Sequence, residues 1–559
     1  MVFSEYPYKR PDMGAIRREA KAAIARMKKA ESYDAFKGAI REVLVVYKSL
    51  LTLQNIASIR HTVNTKDAFY EQEDKFFNSA VPKIMPVFLQ YYKAMLKSPY
   101  LAQYVAEYGE RIQSEAELQV KRFSNKLILP MIKENKLTSE YQKLLASCEV
   151  ELLGEKRNLP GITKLMQSPD RDVRRQAYRA YVGFFRENEA KFDELFDKLV
   201  KIRTKMGRMM GFDNFIPLAY LNMGRVDYGP KEVEQFRRQV ERDLVPVTSR
   251  LRKAQAERIG VDKLHFYDEA FLYPDGNATP KGDRAFMVGQ AQEMYQALSK
   301  ETGEFFSFLC EHELMDLETK PGKAAGGYCT FLPDYGAPFI FSNFNGTSGD
   351  VDVLTHEAGH AFEMYLASKT QELPEYWQST SEIMEIHSMS MEFFTYPWMD
   401  KFFGDEVGKY KKLHTTGGLT FVPYGVCVDE FQHRVYEKPD MTPKERRAVW
   451  RALEKKYLPD RDYDGDEFME SGAFFFKQLH IFMYPFYYID YTLASMGAFE
   501  FYGKMGEDRP RAWNDYVTLC GLGGSKPYLE LLRAANLSNP FEEGSVQKAI
   551  APLVRFAEQ

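Results

Sequence analysis

The sequence predicts a mainly α-helical protein with one small antiparallel sheet. Three observations predict it. Apolar residues recur at helical spacing through the first ~150 residues, and charge-laced amphipathic stretches at 170–210 and 230–258 extend the pattern. Only 326–347, GGYCTFLPDYGAPFIFSNFNGT, departs from it: two aromatic and β-branched runs, Tyr328–Leu332 and Pro338–Phe344, flank Pro333-Asp334-Tyr335-Gly336 as in a hairpin. With 45% of 559 residues hydrophobic and 28% charged, the chain can bury a large core, which excludes a disordered protein.

In chain order, helices are expected at 15–29, 33–53, 82–96 and 100–123. The basic cluster at Arg17–Lys29 is read as a solvated helix face, because acidic residues follow it and no nucleic-acid motif accompanies it. The pattern breaks at GEKRNLPG, and Ser168-Pro169-Asp170 then reads as an N-cap with proline at the first helical position. A soft boundary is placed there, with an N-terminal helical region at 1–153 and a catalytic region at 154–559. A turn-rich loop follows at 274–282, PDGNATPKG. Gly521, Gly523 and Gly524 before Ser525-Lys526 lack the spacing of a phosphate loop and are read as a turn.

A net charge of −4 gives no electrostatic reason to bind nucleic acid or an anionic membrane. The N-terminus has no apolar core of a signal peptide, and no apolar run reaches the ~18 residues of a membrane span. Cys148, Cys310, Cys329, Cys427 and Cys520 are scattered and never form CxxC, against both a disulfide framework and a thiolate metal site. A cytoplasmic location is the expectation.

Histidine carries the strongest signal. Six of the nine, His356, His360, His387, His414, His433 and His480, fall within one stretch where an even spread would put about two. His356-Glu357-Ala358-Gly359-His360 sets two imidazoles one turn apart on one helix face, where both reach a single ion. Glu357, beside the first ligand, is placed to contact an activated water instead of the ion. Ser348 and Asp350 are candidate N-caps of that helix. Glu363 and Leu366 stand where a metzincin would continue its ligand motif, which excludes that class.

The third ligand is sought downstream in STSEIMEIHSMSMEFF at 379–394. Ser379 and Glu382 read as a capping box, leaving Glu385 free to ligate one turn deeper. His387 lies on the far side of that helix. Glu363 is the rival ligand. Two histidines, a glutamate and an open fourth position make a catalytic zinc site. Asp352, one turn before His356, is a candidate to orient its ring, against a helix-capping alternative. His433 is read as a satisfied helix histidine, and His414 beside Thr415-Thr416-Gly417-Gly418 as marking a flexible cleft loop. In HIFMYPFYYIDY at 480–491, His480, Tyr484, Tyr487 or Tyr488, and Tyr491 form a stripe. Spacing alone favours packing for it.

Together these residues resemble the thimet oligopeptidase and oligoendopeptidase F family of zinc peptidases, nearest the bacterial oligoendopeptidase F and Pz-peptidase branch. The similarity runs through HTVNTKDAFYEQE (61–73), GFDNFIPLAYLNMGRVDY (211–228), GGYC (326–329), PFIFSNFNGTSGDVDVLTHEAGHAF (338–362), EIMEIHSMSMEFF (382–394), VDEFQH (428–433) and HIFMYPFYYIDY (480–491). The resemblance implies one Zn2+ held by His356, His360 and Glu385, with Glu357 as general base. It implies His480, Tyr484, Tyr488 and Tyr491 at the substrate carbonyl, against the packing reading. It further implies an elongated helical shell around a deep channel, with the small sheet beside the zinc-binding helix, and hydrolysis of internal bonds of oligopeptides. A non-catalytic peptide-binding protein and a dipeptide-releasing exopeptidase are the rivals.

Overall fold

A computed structural model describes residues 1–559. The fold is mainly α, with five short strands. Helices begin where the side chains can cap them: Asp12 accepts from Gly14 N and Ala15 N, Ser32 from Ala35 N, and Asp67 from Phe69 N and Tyr70 N. The helix expected at 33–53 continues to Val63, and the one expected at 82–96 begins at Ala68 and runs through Pro82 and Pro86. The stretch 100–123 divides into Leu101–Tyr108 and Arg111–Arg122 at Gly109, whose φ of +89° ends the first piece. The stretch 170–210 likewise divides, at Asn188. Asp170 is the N-cap there, accepting from Asp172 N, so Pro169 precedes the helix instead of opening it.

The hairpin forms as expected. Strands β1 (Val150–Leu152) and β2 (Glu155–Arg157) pair by themselves, while β3 (Met315–Glu318), β4 (Tyr328–Leu332) and β5 (Ala337–Phe344) form a sheet of order β3-β5-β4. β4 and β5 are antiparallel, with Cys329 opposite Ile340. β3, which the sequence did not announce, joins β5 in parallel, so this sheet is mixed. β5 leads directly into the helix Gly349–Thr370, which carries the HEAGH run.

The helix Tyr33–Val63 packs against β4 at Tyr328 and Phe331 and against the turn that follows it. Asn55 Nδ2 donates to Phe331 O at 2.7 Å, Asp334 N donates to Thr52 Oγ1 at 3.0 Å, and Thr62 Oγ1 is 2.6 Å from Tyr328 OH. A smaller apolar core sits among the N-terminal helices, and the larger one holds the rest. This helix feeds both: Ala57 packs in the smaller core, Ile56 and Ile59 in the larger.

Candidate active site

The turn from β5 into the HEAGH helix is closed by Asp350, whose carboxylate accepts from Asn345 N at 2.9 Å and Gly346 N at 2.7 Å. Ser348 occupies the N-cap position without a side-chain bond. One turn apart on this helix, the His356 and His360 rings lie 5.0 Å apart at 85°. Glu385, on the helix Ser381–Phe394, brings Oε2 to 3.2 Å from His356 Nε2 and 3.4 Å from His360 Nε2.

Gly359 makes that approach possible. A Cβ there would lie 2.6 Å from Ser388 Cα and 2.7 Å from His387 O, so the two helices meet backbone to backbone. The three donor atoms lie within 4.8 Å of one another, two imidazole nitrogens and one carboxylate oxygen, a set suited to zinc. Burial would raise the Glu385 carboxyl, but the imidazoles of His360 and His356 outweigh it and hold it below the ordinary range. Glu363 is buried with both oxygens unpartnered and stands outside this cluster.

Glu357 is buried, its Oε2 has no partner, and burial raises its pKa. Gly327, just before β4, borders the carboxylate: a Cβ there would sit in ordinary contact, 3.5 Å from Glu357 Oε1.

Facing this group is the segment 478–491. Tyr424 OH donates to Gln478 Oε1 at 2.6 Å, which turns the Gln478 amide so that Nε2 meets His480 Nδ1 at 3.0 Å. The His480 proton therefore resides on Nε2, which lies 3.3 Å from Tyr491 OH. Burial lowers the His480 pKa to about 4, so the ring is neutral at neutral pH. Tyr487 OH donates to Glu385 Oε1 at 2.6 Å. Tyr488, its neighbour, is buried against Phe421 and Tyr424 with its ring 4.9 Å from that of His480. Tyr484 is 51% exposed, its ring 6.1 Å from that of His480. The geometry thus brings Tyr487, Tyr491 and His480 together, with Tyr484 and Tyr488 flanking them.

Three local readings are corrected. Asp352 does not orient His356: it accepts from Tyr410 OH at 2.7 Å, while His356 Nδ1 meets Glu392 Oε1 at 2.6 Å. His414 is not in a loop but within the helix Val407–Glu437, where its Nε2 bonds the other Glu392 oxygen and its Nδ1 lies 2.6 Å from Tyr396 OH. Further along the same helix Gly425 serves packing: a Cβ there would lie 2.2 Å from Thr492 Cγ2 of the helix Tyr488–Leu522. Glu382 makes no capping box, because Thr380 is the N-cap and Glu382 is buried, accepting from Tyr228 OH. Glu392 itself went unremarked, although it stands seven residues after Glu385, two turns along the same face.

The remaining histidines stand apart. His387 is fully buried beside Tyr516 with neither ring nitrogen partnered, and His433 Nε2 lies 3.1 Å from Tyr220 OH. At the glycine-rich turn, Gly524 N donates to Tyr376 O at 2.9 Å.

Comparison with known proteins adds a second line of observation. The description of the peptidase M3 N-terminal domain matches residues 3–123, and that of peptidase family M3 matches residues 164–550. Among curated relatives, an oligoendopeptidase F homolog of Lactococcus lactis subsp. lactis (strain IL1403) is 23% identical over 209 residues, 37% of this chain and 34% of the relative. An oligoendopeptidase F homolog of Borreliella burgdorferi is 23% identical over 381 residues, 66% of this chain and 62% of the relative. The chain thus spans about a third of the length of the first of these relatives. Two solved structures are similar throughout. A Pz peptidase A bound to an inhibitor shares 48% identity at a TM-score of 0.97, covering 100% of this chain and 99% of that one. A protein of Bacillus anthracis str. Ames assigned as an oligoendopeptidase F shares 45% at 0.93, covering 100% and 98%.

Proposed function

Because this chain belongs to peptidase family M3, we propose that it is a zinc-dependent oligoendopeptidase that hydrolyses internal bonds of short peptides. The observation that carries this reading is the convergence of His356, His360 and Glu385 beside the buried carboxylate of Glu357. These three residues would hold zinc, which when bound supplies Lewis-acid polarisation of a carbonyl and acidifies a water.

The protein's own groups divide the remaining work. Glu357 takes a proton from the attacking water and returns it to the leaving amine; its unpartnered Oε2 and raised pKa suit both transfers. His480, protonated on Nε2, and the Tyr491 hydroxyl donate to the carbonyl oxygen as negative charge develops there. Both are neutral, so neither adds a charge that the site must bury. Tyr487 steadies Glu385, and Tyr484 and Tyr488 wall the donors.

The backbone of β4 suits an extended substrate. Asn55 occupies the Phe331 carbonyl on the outer edge, and Cys329, two residues back, turns its N–H and C=O the same way. A peptide paired there would pass Gly327 and reach Glu357. Five free cysteines suit a reducing compartment, and we place the protein in the cytoplasm. No helix is long and apolar enough to cross a membrane.

Digestion of a mixed oligopeptide library, with cuts mapped by mass spectrometry, tests the reading. Internal cuts that chelator abolishes and Glu357→Gln removes without loss of bound zinc are expected. Cuts confined to chain ends would indicate an exopeptidase, and no cuts a binding protein; either overturns the proposal.

A further inference from the structure

The run Gly224–Tyr228, GRVDY, lies outside the site as described, yet it ties two of its parts together. Tyr228 donates to Glu382 in the first turn of the helix that carries Glu385. Three residues earlier, Arg225 Nη2 donates to Phe486 O at 2.5 Å and to Asp490 Oδ1 at 2.7 Å. Both side chains of the Arg225–Asp490 pair are 0% exposed. Arg225 Nε and Nη1 have no partner, and the guanidinium instead lies 4.5 Å from the ring centre of Tyr220 and 5.6 Å from that of Tyr228.

A fully buried cation with unpaired donors is a costly arrangement to keep only for stability, since apolar residues of similar volume commonly do as well. What it holds is therefore informative. Phe486 has φ of +66°, the left-handed region that a large side chain enters only under constraint. Its carbonyl is fixed by Arg225, its N–H donates to Gln432 Oε1 at 2.8 Å, and its ring is fully buried. The next residue is Tyr487, on Glu385, and Asp490 directly precedes Tyr491, on His480.

We propose that Arg225, acting through Phe486 and Asp490 with Gln432, is a positioning residue: it holds the turn that sets Tyr487 and Tyr491 against the Glu385 side of the site. Tyr228, on the same short run, fixes the Glu385 helix, so one segment sets the spacing of ligand and donors. This rests on the peptidase reading above and assigns a role to the GRVDY motif, which that reading leaves unused.

Two measurements on Arg225→Met test it. On an oligopeptide cleaved by the wild type, assayed at saturating zinc, kcat should fall at least about tenfold, with KM within about threefold. In the metal-free protein, amide exchange across 484–491 should speed at least about tenfold, while the helix Val407–Glu437 keeps its protection. If Arg225→Met does not fold, Gln432→Met, which removes the acceptor for Phe486 N–H and a bond to Val428 O within its own helix, carries the same expectations. Wild-type kcat at saturating zinc, or unchanged exchange across 484–491, would each overturn the proposal. Should the wild type cleave no peptide, the peptidase reading fails, and the exchange measurement alone decides whether Arg225 holds the turn.

Discussion

His356 Nδ1 lies 2.6 Å from Glu392 Oε1, so the first histidine of the HEAGH run is oriented by a carboxylate on the neighbouring helix, which also bonds His414. That contact leaves Nε2 free to turn toward Glu385, where it would meet the proposed zinc. Glu392→Ala should weaken zinc binding about 10–100-fold, the range for groups that orient metal-bound histidines. Competition with a chromophoric chelator measures this, and unchanged affinity would remove Glu392 from the site.

Gly359→Ala should be harmful even though alanine normally favours a helix by up to about 1 kcal/mol over glycine. Its Cβ would press within 2.6 Å of Ser388 Cα, a main-chain atom with no rotamer to relieve it. Overpacking of this kind costs about 1–3 kcal/mol and would part the two helices that hold the ligands. Thermal melting and zinc content of the purified variant test both effects, and a more stable, zinc-replete variant would contradict them.

Two tyrosines should fail in different ways. Tyr491 touches His480, so Tyr491→Phe should lower kcat by about 10²-fold, as loss of one transition-state donor does, with zinc affinity intact. Tyr487 bonds Glu385, so Tyr487→Phe should show its main effect in zinc affinity. Parallel steady-state kinetics and zinc titrations separate them; identical profiles would argue against distinct roles.

Burial lowers the His433 pKa to about 4, against about 6.5 when unfolded. Between those values the unfolded chain binds the extra proton, so stability is full above pH ~6.5 and declines as pH falls toward 4. The single group accounts for about 3 kcal/mol across that window. His433→Gln, which can still bond Tyr220, should therefore flatten the fall in urea midpoint between pH 7 and 5. An equally steep fall in the variant would show that His433 is not the source.

What could be read from the sequence was local. The HEAGH spacing reports one helix face, and the hairpin reports its own turn chemistry. β3 has only four residues and a parallel partner more than twenty residues away, so nothing in its own pattern could announce it. Ser379 and Glu382 satisfy the capping-box spacing, yet Tyr228, far away in sequence, captures Glu382 instead. His414 beside two glycines looked like a loop because glycine serves two ends: it frees a turn, and it lets helices touch, as Gly425 does against Thr492. Glu392 was legible in principle through its two-turn offset from Glu385, but its meaning depends on a helix that begins at Val407.

The helix packed against β4 has a consequence for how this chain can be cut or recombined. Without Tyr33–Val63, the Phe331 end of β4, whose carbonyl Asn55 occupies, would stand bare, and a bare strand edge templates pairing between molecules. Ile56 and Ile59 would also leave their places in the larger core open. The N-terminal helices are therefore not a removable module. A chain deprived of them would more readily self-associate than work as a smaller version of the same molecule.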